Sequence, residues 1–206
     1  MENTENPAME NEEQAVVRAL EQQKNVLSYL HDLVFGLAGV LLLFMLIFRV
    51  VIVSGPSMQK TLIDGDALVL VGNVLYQSPK YGEIIVAGKD SFKNGEPIIK
   101  RVIATEGQKV DIDFEAGIVY VDDVPLAESY TNTPTNLQEG VSFPLIVEPG
   151  CVFVMGDNRN ESRDSRSPDI GLIDKREILG KALFLALPGA DEYTKKRDFS
   201  RIGVLW

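Results

Sequence analysis

One histidine and one cysteine are all this chain of 206 residues holds of the residue types that do most nucleophilic and metal chemistry. A lone cysteine, Cys151, cannot close a disulfide within the chain, so packing must supply the stability. His31 precedes a long apolar run, and whatever domain follows that run contains no histidine. Ser-His-Asp, Cys-His and histidine-metal chemistry are therefore excluded there, and an activated serine needs a lysine or a carboxylate as its base. No metal and no cofactor are expected. Basic residues are also scarce: 20 Lys and Arg stand against 30 Asp and Glu, a net charge of −10. No basic patch is dense enough to neutralise phosphates, so nucleic acid is not an expected partner.

Long apolar runs are rare except for one. From Leu33 to Phe48 every residue is apolar or glycine, Arg49 interrupts, and Val50–Val53 continue. That length spans a bilayer, which predicts a transmembrane helix over 33–53, with Arg49 snorkelling to the headgroups. A cleavable signal peptide fits less well, because the run is too long, the preceding segment is acidic and no A-x-A follows. Residues 1–12 are polar and acidic and predict disorder; 13–32 predict a helix with Val16, Leu20, Leu27 and Leu30 along one side. Residues 1–32 carry seven acids against Arg18 and Lys24, so charge gives no support for a cytoplasmic N-terminus.

Beyond Ser54 the chain has room for one core and a small subdomain. Short β-like runs recur with turn punctuation and without intervening helices: 67-ALVLVG-72, 83-EIIVAG-88, 98-IIKRVIA-104, 109-KVDID-113, 117-GIVYVDD-123 and 151-CVFVMG-156. Asp64-Gly65, Asp90 to Gly95, Asp122-Asp123 and Pro149-Gly150 mark turns. The soluble part therefore reads as mostly β, 54–206, with a loop-rich β insertion at about 110–149. The stretch 178-ILGKALFLALPG-189 reads as a strand pair or one buried strand.

The stretch 54-SGPSMQKTL-62 contains an S-x-x-K, Ser57 to Lys60. A penicillin-recognising serine enzyme also needs S-D-N and K-T-G, and neither occurs. A lysine serves as a base only when neutral, which requires burial among apolar groups. Lys60 lies among polar neighbours. Lys100 lies in 98-IIKRVIA-104, where strand alternation puts Ile98, Lys100, Val102 and Ala104 on one face, and Ile99, Arg101 and Ile103 on the other. Such a lysine is either a neutral base or an edge-strand gatekeeper reaching water. A second polar cluster, 156-GDNRNESRDSR-166, reads as a charged turn or as a supporting loop for a catalytic group.

Together 54-SGPSM-58, Thr61-Leu62, 65-GDALVLV-71, 100-KRVIATEG-107, 156-GDNRNESRDSR-166, 171-GLIDKREILGKA-182 and 199-FSRIG-203 resemble the type I signal peptidases in their single-anchor bacterial form. The resemblance implies a signal-peptidase/LexA-like β catalytic domain on the outer face of the cytoplasmic membrane, with 1–32 cytoplasmic. It implies removal of signal peptides from exported preproteins by cleavage after small residues. Ser57 is then the nucleophile, Lys100 the general base, and the Ser57 N–H an oxyanion donor, with Ser54 or the backbone of Gly55 as the second. By the same resemblance Ser162 hydrogen-bonds the lysine, Asp164 pairs with Arg166, and Asp157 pairs with Arg101. The expected partners are preproteins and the lipid bilayer, with Leu205 and Trp206 dipping into the interface. The chain departs from the family at Lys60, where proline is usual; at Gly55, where some members have Ser or Thr; and at Ala104, where glycine is common. A self-cleaving Ser-Lys repressor would carry a DNA-binding domain in place of the anchor, and a silent homologue would lack Ser57 or Lys100.

Overall fold

The computed structural model describes residues 7–89, 92 and 95–205, with side chains from residue 22 onward. The chain divides into two units, Met1–Leu46 and Ile47–Trp206. The first is helical. Helix α1 runs Pro7–Ile47, opening on a proline whose missing N–H costs nothing at a first helical position. The disorder expected over 1–12 is thus replaced by helix from Pro7 on, because Glu10, Glu12 and Glu13 suit a helix N-terminus. Residues 1–6 lie outside the described residues. Gln22–Ile47, 26 residues long, is apolar enough to cross a membrane, and its side chains are exposed. At 1.5 Å per residue it reaches about 39 Å, more than the ~30 Å hydrocarbon core.

The helix stops at Ile47 rather than Val53. Strand β1, Phe48–Ile52, takes over and pairs antiparallel with β2, Ala67–Gly72, from Phe48↔Val71 to Ile52↔Ala67. The run Val50–Val53 is β-branched, which is stiff in a helix and packs well on a pleated surface. Val53 itself is buried and donates its N–H to the Asp66 carbonyl at 2.8 Å. The apolar helix therefore ends at Ile47, short of the Val53 at which the expected span ends.

The second unit is built from two antiparallel sheets. The remaining strands are β3 Ile84–Gly88, β4 Pro97–Thr105, β5 Lys109–Asp113, β6 Ile118–Val121, β7 Val124–Pro125, β8 Leu145–Ile146, β9 Cys151–Met155, β10 Ile173–Asp174, β11 Ile178–Leu187 and β12 Gly203–Val204. An eight-stranded sheet runs β1-β2-β11-β3-β4-β9-β10 with β12 on β11; a four-stranded sheet runs β7-β6-β5-β8. The large sheet is covered on both faces around β3. Ile84 and Val86 join Val53, Met58, Leu68 and Leu70 in one core cluster, while Ile85 and Ala87 join Ile98, Val102 and Val154 in another. This explains why β3 reads as continuously apolar.

The small sheet spans residues 109–146, the stretch where the sequence suggests an insertion. Its β5–β6 hairpin and the β6–β7 turn are compact, the latter closed by Asp122 and Asp123 at φ 51° and 64°, the left-handed geometry of a two-residue hairpin turn. Residues 178–187 form one strand, not two. A bulge in β4 breaks the expected alternation: the register passes from Val102↔Val154 to Ala104↔Phe153, leaving Ile103 as the extra residue. Ile103 and Ala104 consequently enter the same third cluster with Val110 and Phe153. Ala104 is thereby fully buried. Leu205 packs against the first cluster and donates its N–H to Leu183 O, so it is not free to enter a bilayer; Trp206 lies outside the described residues.

Candidate active site

The segment after β1 is held by its neighbours before any chemistry is considered. Met58 and Leu62 are buried and anchor the turn, closed by the Leu62 N–H donating to Met58 O at 2.8 Å. Gly55 sits at φ +89°, a conformation open to glycine, and its N–H donates to Asp64 Oδ1 at 2.9 Å. The Ser57 carbonyl accepts from the Asn158 N–H at 3.0 Å, and Pro56 O accepts from Asn158 Nδ2 at 3.2 Å. Ser57 is thus clamped between its own turn and the loop that follows β9.

β4 delivers Lys100 to the same point. Its Nζ lies 2.7 Å from Ser57 Oγ and donates to Ile99 O at 3.1 Å. The side chain is 4% exposed. Burial pulls its pKa down to about 8, while the charges of Asp164, Glu139 and Asp157 hold it up against that burial and Arg166 adds to the fall. At pH 7 roughly a tenth of the lysine is then neutral. Lys60, the nearer lysine in sequence, is exposed and is not brought to Ser57.

The loop 156–166 supports both groups. Arg101 Nε and Nη2 donate to Asp157 at 2.8 and 2.7 Å, both residues being buried, and the Tyr130 ring lies 4.1 Å from the guanidinium. Thr61 Oγ1 donates to Asp157 Oδ2 at 2.5 Å, tying the Ser57 turn to that pair. Arg166 grips Asp164 through two bonds of 2.8 Å, and Asp164 Oδ2 accepts from the Gly156 N–H at 3.0 Å. These are charge-assisted, bidentate pairs, the strong kind.

Ser162 departs from the expectation. Its Oγ is buried beside Gly156 but has no hydrogen-bond partner among the described residues, because Lys100 Nζ is directed at Ser57 and Ile99. Of the two candidates for a second oxyanion donor, the Gly55 N–H is engaged by Asp64, whereas Ser54 is exposed and its hydroxyl has no partner among the described residues. The Ser57 N–H likewise meets no acceptor among them.

Ser57, Lys100 and Ser162 open onto one cleft of about 460 Å³, walled by apolar Val51, Ile98 and Leu137. Pro97–Lys100 pairs with β3 on one side only, since β9 joins β4 from Arg101 onward, so the described residues leave a strand edge open at the cleft. The described residues contain no His, Cys, Asp and Glu grouping suited to a metal. Sequence reasoning missed Asp64, Asn158 and Glu139 as parts of the site. Asn158 lay inside a motif already singled out; Glu139 lies in an aperiodic stretch that carries no local signal.

Residues 26–187 match the family model described as Signal peptidase, peptidase S26. A probable signal peptidase I-1 from Synechocystis sp. is 40% identical over 147 residues, 67% of this chain and 70% of that protein. Signal peptidase I of Bacillus licheniformis is 29% identical over 179 residues, 83% of this chain and 94% of that protein. A solved signal peptidase I from Enterococcus faecalis V583 is similar at 28% identity with a TM-score of 0.41, covering 50% of this chain and 96% of that one.

Proposed function

We propose that this chain, which belongs to the signal peptidase family (peptidase S26), removes signal peptides from exported preproteins through a Ser57 acyl-enzyme with Lys100 as general base. The observation that carries the mechanism is the 2.7 Å approach of Lys100 Nζ to Ser57 Oγ in a setting where the lysine is 4% exposed. Neutral Lys100 takes the hydroxyl proton as Oγ bonds to the scissile carbonyl carbon. The C–N bond then breaks, and Lys100 returns the proton to the leaving amine. Water, deprotonated by the same lysine, hydrolyses the ester and restores Ser57. The Ser57 N–H faces the developing oxyanion, a donor worth ~3 kcal/mol, and the Ser54 hydroxyl supplies the second contact.

The substrate lies extended along the open edge of Pro97–Lys100 as an added strand. Side chains two apart then point to one side, so the residues at −1 and −3 face the cleft wall together while −2 faces away. That alternation makes −1 and −3 the paired specificity positions, as the Ala-X-Ala pattern requires. The helix Gln22–Ile47 anchors the chain in the cytoplasmic membrane as a single span, with 1–21 cytoplasmic and the catalytic domain outside. Ser57 follows the end of that helix by only ten residues of chain, which keeps it within reach of the bilayer surface, where cleavage sites emerge.

Ser57→Ala and Lys100→Ala are each expected to abolish cleavage of a secretory precursor in detergent without changing the melting temperature. Full activity in Lys100→Ala overturns the dyad. Because the base is the neutral form, kcat/KM should climb tenfold per pH unit below about 8 and level off above it.

A further inference from the structure

No backbone ladder sets the distance between Ser57 and Lys100. Lys100 stands on β4, Ser57 lies in the irregular segment between β1 and β2, and β11 and β3 stand between β2 and β4 in the large sheet. Register fixes only strands that pair, so contacts outside the ladders bring the two groups to 2.7 Å. Asn158 supplies two of them, to the carbonyls of Pro56 and Ser57. Another comes from a side chain of the turn. Thr61 is half-buried, and its Oγ1 donates to Asp157 Oδ2 at 2.5 Å. The Asp157 carboxylate is fully buried and also accepts from Arg101 Nε at 2.8 Å and Nη2 at 2.7 Å. Arg101 is the residue after Lys100 on β4, so one carboxylate joins the turn of the nucleophile to the strand of the base. Thr61 is held at its backbone too. Its carbonyl accepts from Arg201 Nη2 at 3.2 Å, and Arg201 is fixed on buried Asp66 by bonds of 2.9 and 2.7 Å. Among the described residues, Ser57 and Thr61 are the two of 54–62 whose side chains make hydrogen bonds.

We propose that Thr61 is a positioning residue for the reaction: its hydroxyl, bonded to Asp157, sets how closely Ser57 Oγ approaches Lys100 Nζ and in which direction it faces the scissile carbonyl. This rests on the reading of Ser57 and Lys100 as nucleophile and base. The physical reason is the narrow tolerance of the step. Proton transfer needs heavy atoms about 2.6–3.2 Å apart, and a shift of about 1 Å at a reacting group costs on the order of 10²-fold in rate. Met58 and Leu62 sink the turn into the core, but apolar contact has no direction and leaves the turn free to rotate about them. A hydrogen bond to a charged group supplies the direction. Asp157 is a firm acceptor because Arg101 grips both of its oxygens, so the carboxylate cannot swing to follow the hydroxyl. The β-branch of Thr61 restricts its own rotation in the same way. Valine at this position keeps the shape and removes only the donor. Asp157 then retains both guanidinium bonds, so no buried charge is left unpaired and the fold is kept.

The test is kcat and KM against pH, from 6 to 10, for the full-length protein in detergent with a fluorogenic signal-peptide substrate, at a temperature well below the melting point of every variant. In Thr61→Val kcat is expected to fall about tenfold at every pH, with KM within about twofold of wild type and the acidic limb unmoved, since Lys100 keeps its surroundings. Thr61→Ser, which keeps the donor and loses the methyl, is expected to recover most of that loss. A hydroxyl that served stability alone would lower the melting temperature and leave kcat as it was. Wild-type kcat in Thr61→Val therefore overturns the proposal. So does a Thr61→Ser as slow as Thr61→Val, which places the effect outside the hydrogen bond. A displaced acidic limb overturns it as well, because the hydroxyl then acts through the charge on Lys100 and not through position. Lys100→Ala in the same assay separates the two readings: if it is inactive, wild-type kcat in Thr61→Val counts against Thr61 alone, and if it is active, both the dyad and the role of Thr61 fall together.

Discussion

Gly156 shows how little space surrounds Ser57. A Cβ at that position would lie 2.4 Å from the Ser57 carbonyl oxygen and 2.1 Å from Ser162 Oγ. The serine hydroxyl can rotate away, but the Ser57 carbonyl is backbone and is fixed by the Asn158 N–H. Gly156→Ala must therefore push the Ser57 backbone, and displacements of about 1 Å at a reacting group cost on the order of 10²-fold in rate. A fall of about that size in kcat is expected, with a loss of about 1–3 kcal/mol in stability, checked by steady-state kinetics and thermal melting. A kcat within a few-fold of wild type would mean that the carbonyl is not held as described. The glycine was visible within 156-GDNRNESRDSR-166, yet its reason was not, because the atom that excludes a side chain comes from a residue about a hundred positions earlier.

At the level of elements, the aperiodic stretch between β7 and β8 and the loop 156–166 interlock. Arg159 is fully buried and reaches Glu128 at 2.7 Å and Thr135 Oγ1 at 2.8 Å, while Arg166 Nη1 donates to Leu137 O at 3.1 Å. Asn160 adds bonds to Thr133 and Pro134. Glu128→Ala leaves the Arg159 guanidinium buried without its carboxylate. The expected cost is about 3 kcal/mol, read as a Tm lower by roughly 6–12 °C, with Glu128→Gln falling less. An unchanged Tm would show that water or another acceptor replaces Glu128. The strands on either side were legible as apolar runs, but this stretch has no period to read, and its order comes from partners supplied by the loop it covers. The same limit applies where α1 passes into β1: hydropathy is continuous through Val53, and only pairing with β2 ends the helix at Ile47.

Across the whole molecule, Ile47–Trp206 contains both sheets and every residue assigned to the site. A fragment of those residues is expected to fold with a β-type circular dichroism spectrum and to cleave a short peptide in detergent with kcat/KM within about tenfold of the full chain. Collapse of the fragment would make the helix part of the catalytic fold rather than an anchor. The sequence by itself determined what depends on composition and local pattern. With no histidine after the apolar run, a lysine or a carboxylate had to serve as base; the run itself is long enough for a bilayer; and alternating and continuous apolar stretches located six of the strands. Tertiary structure decided what depends on distance between remote residues. From its strand pattern alone Lys100 read as an edge gatekeeper rather than a base, since desolvation is a property of the folded environment and not of a strand's alternation. Only the fold buries it 2.7 Å from Ser57, leaves the Ser162 hydroxyl without a partner among the described residues, ties up the Gly55 N–H, and sets Glu139 in the same wall.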